Sequence, residues 1–395
     1  MKLTVIGMIS GTSYDAVDAA AATFELVGDE LRCTPLGLHS QDIPDPVRGR
    51  IARLLPPNLI TIEDVCRLDT ELAQFFGDVG AAANAGLTGG TADLLVSHGQ
   101  TVFHWVADGH ALGTLQLGNP AWIAERTGLT TVTDLRTRDI THGGHGAPLA
   151  STLDDLLVLP GETRRGALNL GGIANITVRD RGRVIAYDLG PASALLDAVV
   201  ADATDGHERM DFNGARAAAG TVEQDLLQHL LDDAYYRLPP PKSTGKELFH
   251  LDYVRLATAN RSMHTDDLLA TLTELTAAVI AQACQQYRIE ELVVAGGGVR
   301  NPTLMARIAQ LSAPTEIRLI DEFGLPAQGK EAYLCALLGY LSVHGLPGTI
   351  PSATGAQEAP ILGSITPGRQ PLRLPDPAST APRKMRIYPG ATVEP

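Results

Sequence analysis

The sequence predicts an α/β protein built from two related domains, and three observations predict it. Residues 3–38 run as apolar strand, small-residue turn, strand, Gly28-Asp29 turn, strand. The same order returns over residues 165–188. Each block is followed by helical periodicity and then by further short apolar strands. Self-similarity in pattern, without similarity in letters, marks a duplicated unit.

The opening hairpin carries the first block. Leu3 to Met8 is apolar and β-branched, Ser10-Gly11-Thr12-Ser13 is a turn of small residues, and Ala16 to Ala22 is interrupted only by Asp18. Leu31 to Leu38 reads as a third strand. Pro44, Pro46, Pro56 and Pro57 then break the chain into loops and a short helix. Residues 61–85 read as a helix with Thr61 at its N-cap and Glu63 and Asp64 in its first turn, where the helix dipole favours anions. Residues 92–105 form a buried strand. Residues 114–128 give a strand, an Asn-Pro turn and a short helix, and 130–139 a strand that ends in charges. The glycine-rich stretch 141–150 reads as a loop and a boundary between halves.

The second block has strands at Ala167–Leu170, Asn175–Arg179 and Val184–Asp188, with turns at Gly171-Gly172 and Arg181-Gly182. A helix is entered through Gly190-Pro191-Ala192-Ser193. After a proline-led loop at 239–250, residues 266–287 read as a long helix with Asp266 and Asp267 at its start. Residues 291–311 read as strand, triple glycine and a helix opening at Asn301-Pro302, since proline suits the first helical position. Residues 330–343 are an apolar helix headed by Lys330 and Glu331. Beyond Gly363 the chain becomes proline-rich and reads as an extended tail.

Composition narrows the function. The net charge of −14 argues against a nucleic-acid or anionic-membrane partner. An acidic protein that binds an anion needs a local site of amides and metal. The four cysteines, Cys33, Cys66, Cys284 and Cys335, lie far apart without a CxxC pair, which fits reduced thiols in the cytoplasm. No signal-peptide core and no window of about 18 apolar residues is expected to span a membrane, so a soluble cytoplasmic protein is expected.

The turn after the first strand offers amides and the hydroxyls of Ser10, Thr12 and Ser13 to one point. Successive turn amides make an anion nest whose usual occupant is phosphate. Asp15 and Asp18 would repel that phosphate unless a cation sat between, so the stretch points to a nucleotide phosphate with Mg²⁺. An ordinary solvated hairpin turn remains the alternative. Two further glycine turns follow buried strands, Gly171-Gly172 and Gly296-Gly297-Gly298, and the latter opens a helix whose amides can also face an anion. Three such turns in a duplicated frame suggest a nucleotide cleft between two domains. None is a P-loop: TGKE at 244–247 lacks the upstream glycine and the Ser/Thr after lysine. None is a GxGxxG fingerprint.

Asp188 ends a buried strand just before a Gly-Pro loop, where a carboxylate can face a ligand and serve as a general base. A turn or capping aspartate is the alternative. Glu331 reads equally as a first-turn dipole residue. His98-Gly99-Gln100 at a strand end is a candidate for holding sugar hydroxyls. His142 and His145 lie in a glycine loop without carboxylates at metal-ligand spacing, so zinc is not expected there. Gly7-Met8-Ile9-Ser10-Gly11 is not the serine hydrolase elbow.

The motifs GMISGTSYDAVDAA (7–20), SHGQTVFH (97–104), LRTRDITHGGHGAPL (135–149), LNLGGIANIT (168–177), YDLGP (187–191), PKSTGKELFH (241–250), AGGGVRNPTLMARI (295–308) and PSATGA (351–356) run in order through nearly the whole chain. Together they resemble the anhydro-N-acetylmuramic acid kinase family. The resemblance implies two duplicated actin-like ATPase (ribonuclease H-like) domains with an interdomain nucleotide cleft, placed at 1–134 and 135–366 with a tail at 367–395. It implies that ATP and water open the 1,6-anhydro bond of the cell-wall sugar and that O6 is phosphorylated, giving N-acetylmuramic acid 6-phosphate in murein recycling. Asp188 matches the aspartate that activates the attacking water, and Glu331 a second acidic residue near it. Gly11, Thr12, Ser13, Tyr14, Asp15, Ala16, Val17 and Asp18 resemble the ATP-binding segment. Gly171, Gly172, Gly296, Gly297 and Gly298 fall at the other nucleotide corners. His98, Gln100, Arg136 and Asp139 fall in motifs that look sugar-facing. ATP and Mg²⁺ are the implied cofactors, and a homodimer is a family expectation. The family's commoner DTGPGN is Asp188-Leu189-Gly190-Pro191-Ala192-Ser193 here, its SLDG is Ser13-Tyr14-Asp15-Ala16, and its GGQGAP is Gly143-Gly144-His145-Gly146-Ala147-Pro148. The aspartates survive while their neighbours differ. A kinase of another small sugar or acid on the same fold, or a non-catalytic nucleotide-binding relative, are the alternatives.

Overall fold

The computed structural model describes residues 2–11, 13–55, 58–245, 248–259 and 261–389. The chain divides into two compact units, one of residues 1–160 with 329–395 and one of residues 161–328.

The first unit is built on strands β1 (Lys2–Ser10), β2 (Ala16–Val27), β3 (Glu30–Asp42), β4 (Leu94–Ala107), β5 (His110–Leu117) and β6 (Thr130–Thr133). The second is built on β7 (Arg165–Leu170), β8 (Ile173–Asp180), β9 (Arg183–Pro191), β10 (Glu291–Ala295) and β11 (Glu316–Leu319). The tail returns two strands to the first unit, β12 (Ser364–Thr366) and β13 (Lys384–Ile387).

The two sheets share one plan. In the first, the inner run is β3-β2-β1-β4-β6, antiparallel through β3-β2-β1 and parallel through β1-β4-β6. In the second, the run is β9-β8-β7-β10-β11, antiparallel through β9-β8-β7 and parallel through β7-β10-β11. The expected duplication is therefore a duplication of topology. It extends to a helix between the last two strands of each run. Pro120–Thr127 and Pro302–Ser312 both open on Asn-Pro, with the Asn119 and Asn301 side chains accepting from Ala121 N and Leu304 N. Proline at the first position forfeits an amide that has no intrahelical partner, and the Asx oxygen satisfies another.

Helix Ile62–Thr88 begins as expected, with a capping box between Thr61 and Asp64. It packs Leu68, Leu72 and Phe76 into the first unit's core with Ile6, Met8, Val17 and Leu95. In the second unit Leu168, Ile176, Leu196, Ile280 and Val294 form the core. Helix Thr265–Tyr287 starts at a His264 cap, one residue before the expected start. By length and composition it could cross a membrane, against the expectation that no window would. Of its apolar window 78% is buried within the protein, as for a core helix.

Three expectations meet a different structure. The strand expected over 130–139 stops at Thr133, because Asp134 turns to φ 53° and Thr137–Thr141 coils into a helical turn. The tail is only partly free of the sheets, since β12 pairs with β6 and β13 with β3, one at each end of the first sheet. The units do not divide at 134/135 or at 366/367. The reason lies in helix Lys330–Val343, which is packed against β1 and β4. A Cβ on Gly7 in β1 would lie 2.2 Å from the Ala332 carbonyl oxygen, and one on Gly339 would lie 2.1 Å from the Val96 side chain. That close packing returns the helix and everything after it to the first unit.

Candidate functional site

In the first unit the β1–β2 turn is a short reverse turn, with Tyr14 N donating to Gly11 O at 3.1 Å and Tyr14 at φ 45°. Gly11, Ser13 and Asp15 are exposed, while Val17 is fully buried in the core. Any part Val17 takes at a ligand is therefore through its backbone. Thr12, singled out from the sequence, lies outside the described residues. Ser10 is not the free hydroxyl expected: it is 4% exposed and donates to Gln100 Oε1 at 2.7 Å. Gln100 is itself 1% exposed, and its Nε2 donates to Thr101 O at 3.2 Å. The pair braces β1 to β4 at the register shift between Met8 and Ser10. Asp18 in β2 accepts from the Ser40 hydroxyl at 2.6 Å, and the exposed Asp15 has Arg48 at 3.8 Å.

His98, next along β4, lines a cavity of about 320 Å³ with Asp69, Gln116, Asn119 and Asp134. Its Nε2 accepts from Arg136 Nε at 3.2 Å, which leaves the ring proton on Nδ1. Burial and then the Arg136 charge push the imidazole down to about 3, so it is neutral at physiological pH. Arg136 also donates to Gly146 O at 2.8 Å. Asp139 has no exposed surface. Its carboxylate accepts from Gly146 N at 2.8 Å and from the Thr354 hydroxyl at 2.7 Å. Arg136 and Asp139 thus grip the same glycine loop, one by its carbonyl and the other by its amide. Asp139 in this arrangement holds the loop and does not present itself to a ligand.

Glu331 stands at the start of helix Lys330–Val343 in the same unit. Its side chain is exposed by accessible surface, yet the protein mass around it acts as burial does and pushes its carboxyl up. Asp18 adds to that push, while Lys330 and Arg136 oppose it. Water reaches the group and screens that push. Its neighbour Lys330 points the other way. Lys330 and Asp154 are 3% and 2% exposed and form an ion pair at 2.5 Å that ties the helix start to helix Ala150–Leu157.

In the second unit Asp188 lies in β9, half-buried. Its Oδ2 accepts from Thr244 N at 2.9 Å, its own amide donates to Lys242 O at 3.1 Å, and its carbonyl accepts from the Tyr235 hydroxyl at 2.7 Å. The Lys242 ammonium donates to Tyr235 O at 2.9 Å and sits 4.4 Å above the Tyr235 ring. Burial lowers its pKa, and the Asp188 charge acts against that. The segment Lys242–Thr244 therefore wraps the carboxylate with an amide bond on one side and a cation nearby. From the sequence this stretch reads as a proline-led loop and as one of the family-like motifs, with nothing that ties it to Asp188. Its contact with Asp188 is more than fifty residues away along the chain, with no local signal.

The two other glycine corners also lie in this unit and differ from each other. The carbonyls of Gly171 and Gly172 accept from Ser193 N at 3.1 Å and from Ala192 and Ala194 N at 2.9 and 3.0 Å. The opening amides of helix Ser193–Ala203 are thus engaged by the turn. At the triple glycine, Gly296 takes φ 93°, and a Cβ there would lie 2.7 Å from Leu170 O. A Cβ on Gly298 would lie 2.7 Å from the Leu170 side chain, whereas Gly297 is exposed. Glycine is required at 296 and 298 because the corner crosses the end of β7 at backbone distance.

Among the described residues no group of three or more His, Cys, Asp or Glu side chains is placed to hold a metal ion. The carboxylates of Asp15 and Asp18, nearest the β1–β2 turn in sequence, face Arg48 and the Ser40 hydroxyl.

A profile described as anhydro-N-acetylmuramic acid kinase matches residues 3–368. A protein of that name from Streptomyces coelicolor is 54% identical over 392 residues, covering 98% of this chain and 100% of its own. One from Rhodococcus erythropolis is 49% identical, covering 98% and 99%. Among solved structures, component A of (R)-2-hydroxyglutaryl-CoA dehydratase from Acidaminococcus fermentans aligns over 86% of this chain and 98% of its own, at 13% identity and a TM-score of 0.40. A likeness that distant says nothing of the site.

Proposed function

The chain belongs to the anhydro-N-acetylmuramic acid kinase family, and from that premise we propose how its own residues divide the work. The activity is the family's: with ATP, the 1,6-anhydro bond of anhydro-N-acetylmuramic acid is opened by water and O6 is phosphorylated, in murein recycling. Identity of 54% over 98% of the chain does not favour another sugar substrate or a non-catalytic relative.

Asp188 is the general base. The observation that carries this reading is its carboxylate on β9, with Oδ2 bonded to the Thr244 amide and the Lys242 ammonium nearby. An amide donor and a cation both favour the ionised form that a base needs. Asp188 takes a proton from water as the water oxygen bonds the anomeric carbon. The bond from that carbon to O6 breaks, and its electron pair stays on O6. O6 then attacks the γ-phosphorus in line, and the bond to the β–γ bridging oxygen breaks to release ADP. This resembles half of an inverting glycosidase, with phosphoryl transfer replacing protonation of the leaving oxygen. Glu331 is proposed as the second acidic group near the water.

Phosphoryl transfer needs positioning and charge neutralisation above all. The Gly11–Asp18 turn, the Gly171-Gly172 turn and the Gly296–Gly298 corner are proposed to contact ATP, the exposed Gly11, Ser13 and Gly297 offering the open backbone. Mg²⁺, when bound by Asp15 and Asp18, would supply neutralising charge to the phosphates. His98 is proposed to donate from Nδ1 to the sugar, supported by its place in the cavity wall. Gln100, Arg136 and Asp139 are proposed to set the sugar-facing loops through their bonds to Ser10, His98 and Gly146. A cytoplasmic setting without nucleic-acid or membrane partners is proposed on the charge of −14 and on the burial of the apolar helix Thr265–Tyr287. A homodimer is carried over from the resemblance.

The test couples ADP release to the anhydro sugar. The parent should release ADP only when the sugar is present. Asp188→Asn should lower turnover by roughly 10²–10⁴, the usual worth of a positioned base. Full activity in that variant removes Asp188 from the role.

A further inference from the structure

The Thr244 side chain lies at Asp188 and has no part in the scheme above. Its backbone amide donates to Asp188 Oδ2 at 2.9 Å. Its hydroxyl is buried and has no hydrogen-bond partner among the described residues. A buried hydroxyl left unpaired costs about 1–3 kcal/mol, so such a group is either a defect or one half of a bond made when a ligand arrives. Its position decides between the two. The same residue is already fixed against the proposed base by its own amide, so the hydroxyl is anchored beside the carboxylate, and valine of the same shape would fill the space at no polar cost.

We propose that the Thr244 hydroxyl is the second anchor of the water that Asp188 activates. The water donates one proton to the Asp188 carboxylate and the other to Thr244 Oγ1. Its lone pair is then directed at the anomeric carbon. Only the proton facing Asp188 is transferred; the one facing Thr244 stays on the new hydroxyl of the product. Thr244 therefore changes no bond and acts by orientation, the kind of contribution that raises kcat without binding the sugar more tightly. This rests on Asp188 being the base, and the two ideas fail separately. An active Asp188→Asn variant sinks the base, whereas Thr244 is judged on its own variants.

The experiment compares Thr244→Val and Thr244→Ser with the parent in the ADP-release assay and in thermal unfolding. Valine keeps the shape and the amide bond to Asp188 but removes the hydroxyl. It should lower kcat by about 10–100-fold, leave the KM for the sugar and for ATP unchanged, and leave Tm equal or higher, because an unpaired hydroxyl has been replaced by a methyl. Serine should restore most of the rate. An unchanged kcat in Thr244→Val overturns the proposal. So does a loss that appears only in the KM for the sugar, which would make Thr244 a sugar contact. A lowered Tm with unaltered kinetics overturns it as well, since the hydroxyl would then be structural.

Discussion

The two units share a strand plan and place an acidic residue in different ways. In the second unit Asp188 sits on a strand, with the Thr244 amide bonded to its carboxylate and the Tyr235 hydroxyl to its carbonyl. In the first unit Glu331 sits at a helix start, exposed, and the helix is held by a buried ion pair on the neighbouring residue. The strand fixes its carboxylate through bonds to the group itself. The helix fixes only the backbone beneath its carboxylate and leaves the side chain to water. On the roles proposed above, the group that must meet one water in one orientation has the first kind of support and the accessory acid the second.

The largest effect that sharpens this contrast is on stability. Lys330→Met removes the cation from a pair whose members are 3% and 2% exposed. Breaking such a pair from one side should cost about 3–5 kcal/mol, read as a lower denaturation midpoint. Adding Asp154→Leu should recover much of the loss, because two apolar groups replace two buried charges. If Lys330→Met unfolds like the parent, the ion pair is not what fixes the helix start, and the contrast between the two supports fails.

A smaller effect separates the glycine positions. Gly7→Ala would place its methyl 2.2 Å from the Ala332 carbonyl oxygen, a backbone atom. Overpacking of that kind should cost about 1–3 kcal/mol. Gly171→Ala has nothing nearer than 3.6 Å, so its stability should stay within about 0.5 kcal/mol of the parent. The difference between these two glycines teaches that the first is required by helix packing and the second is free of such a demand. Equal midpoints for the two variants would remove the packing argument for where helix Lys330–Val343 belongs.

Local chemistry made much of this molecule legible in the sequence. The strands of both blocks, the Thr61 cap and the Asn-Pro helix starts follow from alternation, turn residues and capping, which act within a few residues. The division into units did not follow, because it depends on a helix near residue 330 finding Gly7 and Val96, and composition carries no trace of that. The end of β6 was missed for a related reason: Thr130 to Thr133 read on into Leu135, and only the left-handed turn at Asp134 stops the strand. At the site, Asp188 was legible as a strand carboxylate shortly before a Gly-Pro pair, although β9 runs on to Pro191 instead of ending at Asp188. Thr244, Lys242 and Tyr235 were not, since what makes them matter is their contact with a residue far away in the chain. Gln100 and Asp139 were found by motif, but the structure gives them bracing bonds that no motif displays.

A further effect tests the first unit's brace by pH. The bonds described at Asp188 come from an amide and a phenol hydroxyl, which do not titrate near neutrality. The bond between His98 and Arg136 needs a neutral imidazole, and burial holds that ring's pKa down at about 3 in the folded protein. In the unfolded chain the ring titrates near 6.5. Between those values the unfolded chain binds a proton that the folded protein refuses, so stability is whole above about pH 6.5 and is lost as pH falls from there toward 3. Glutamine at this position can accept from Arg136 through its side-chain oxygen but cannot take up a proton. His98→Gln should therefore lose less stability than the parent over about pH 6.5 to 4, measured by urea midpoints at each pH. Parallel loss in the two proteins would mean that acid sensitivity arises elsewhere, and that the neutral imidazole is not what holds Arg136 in place.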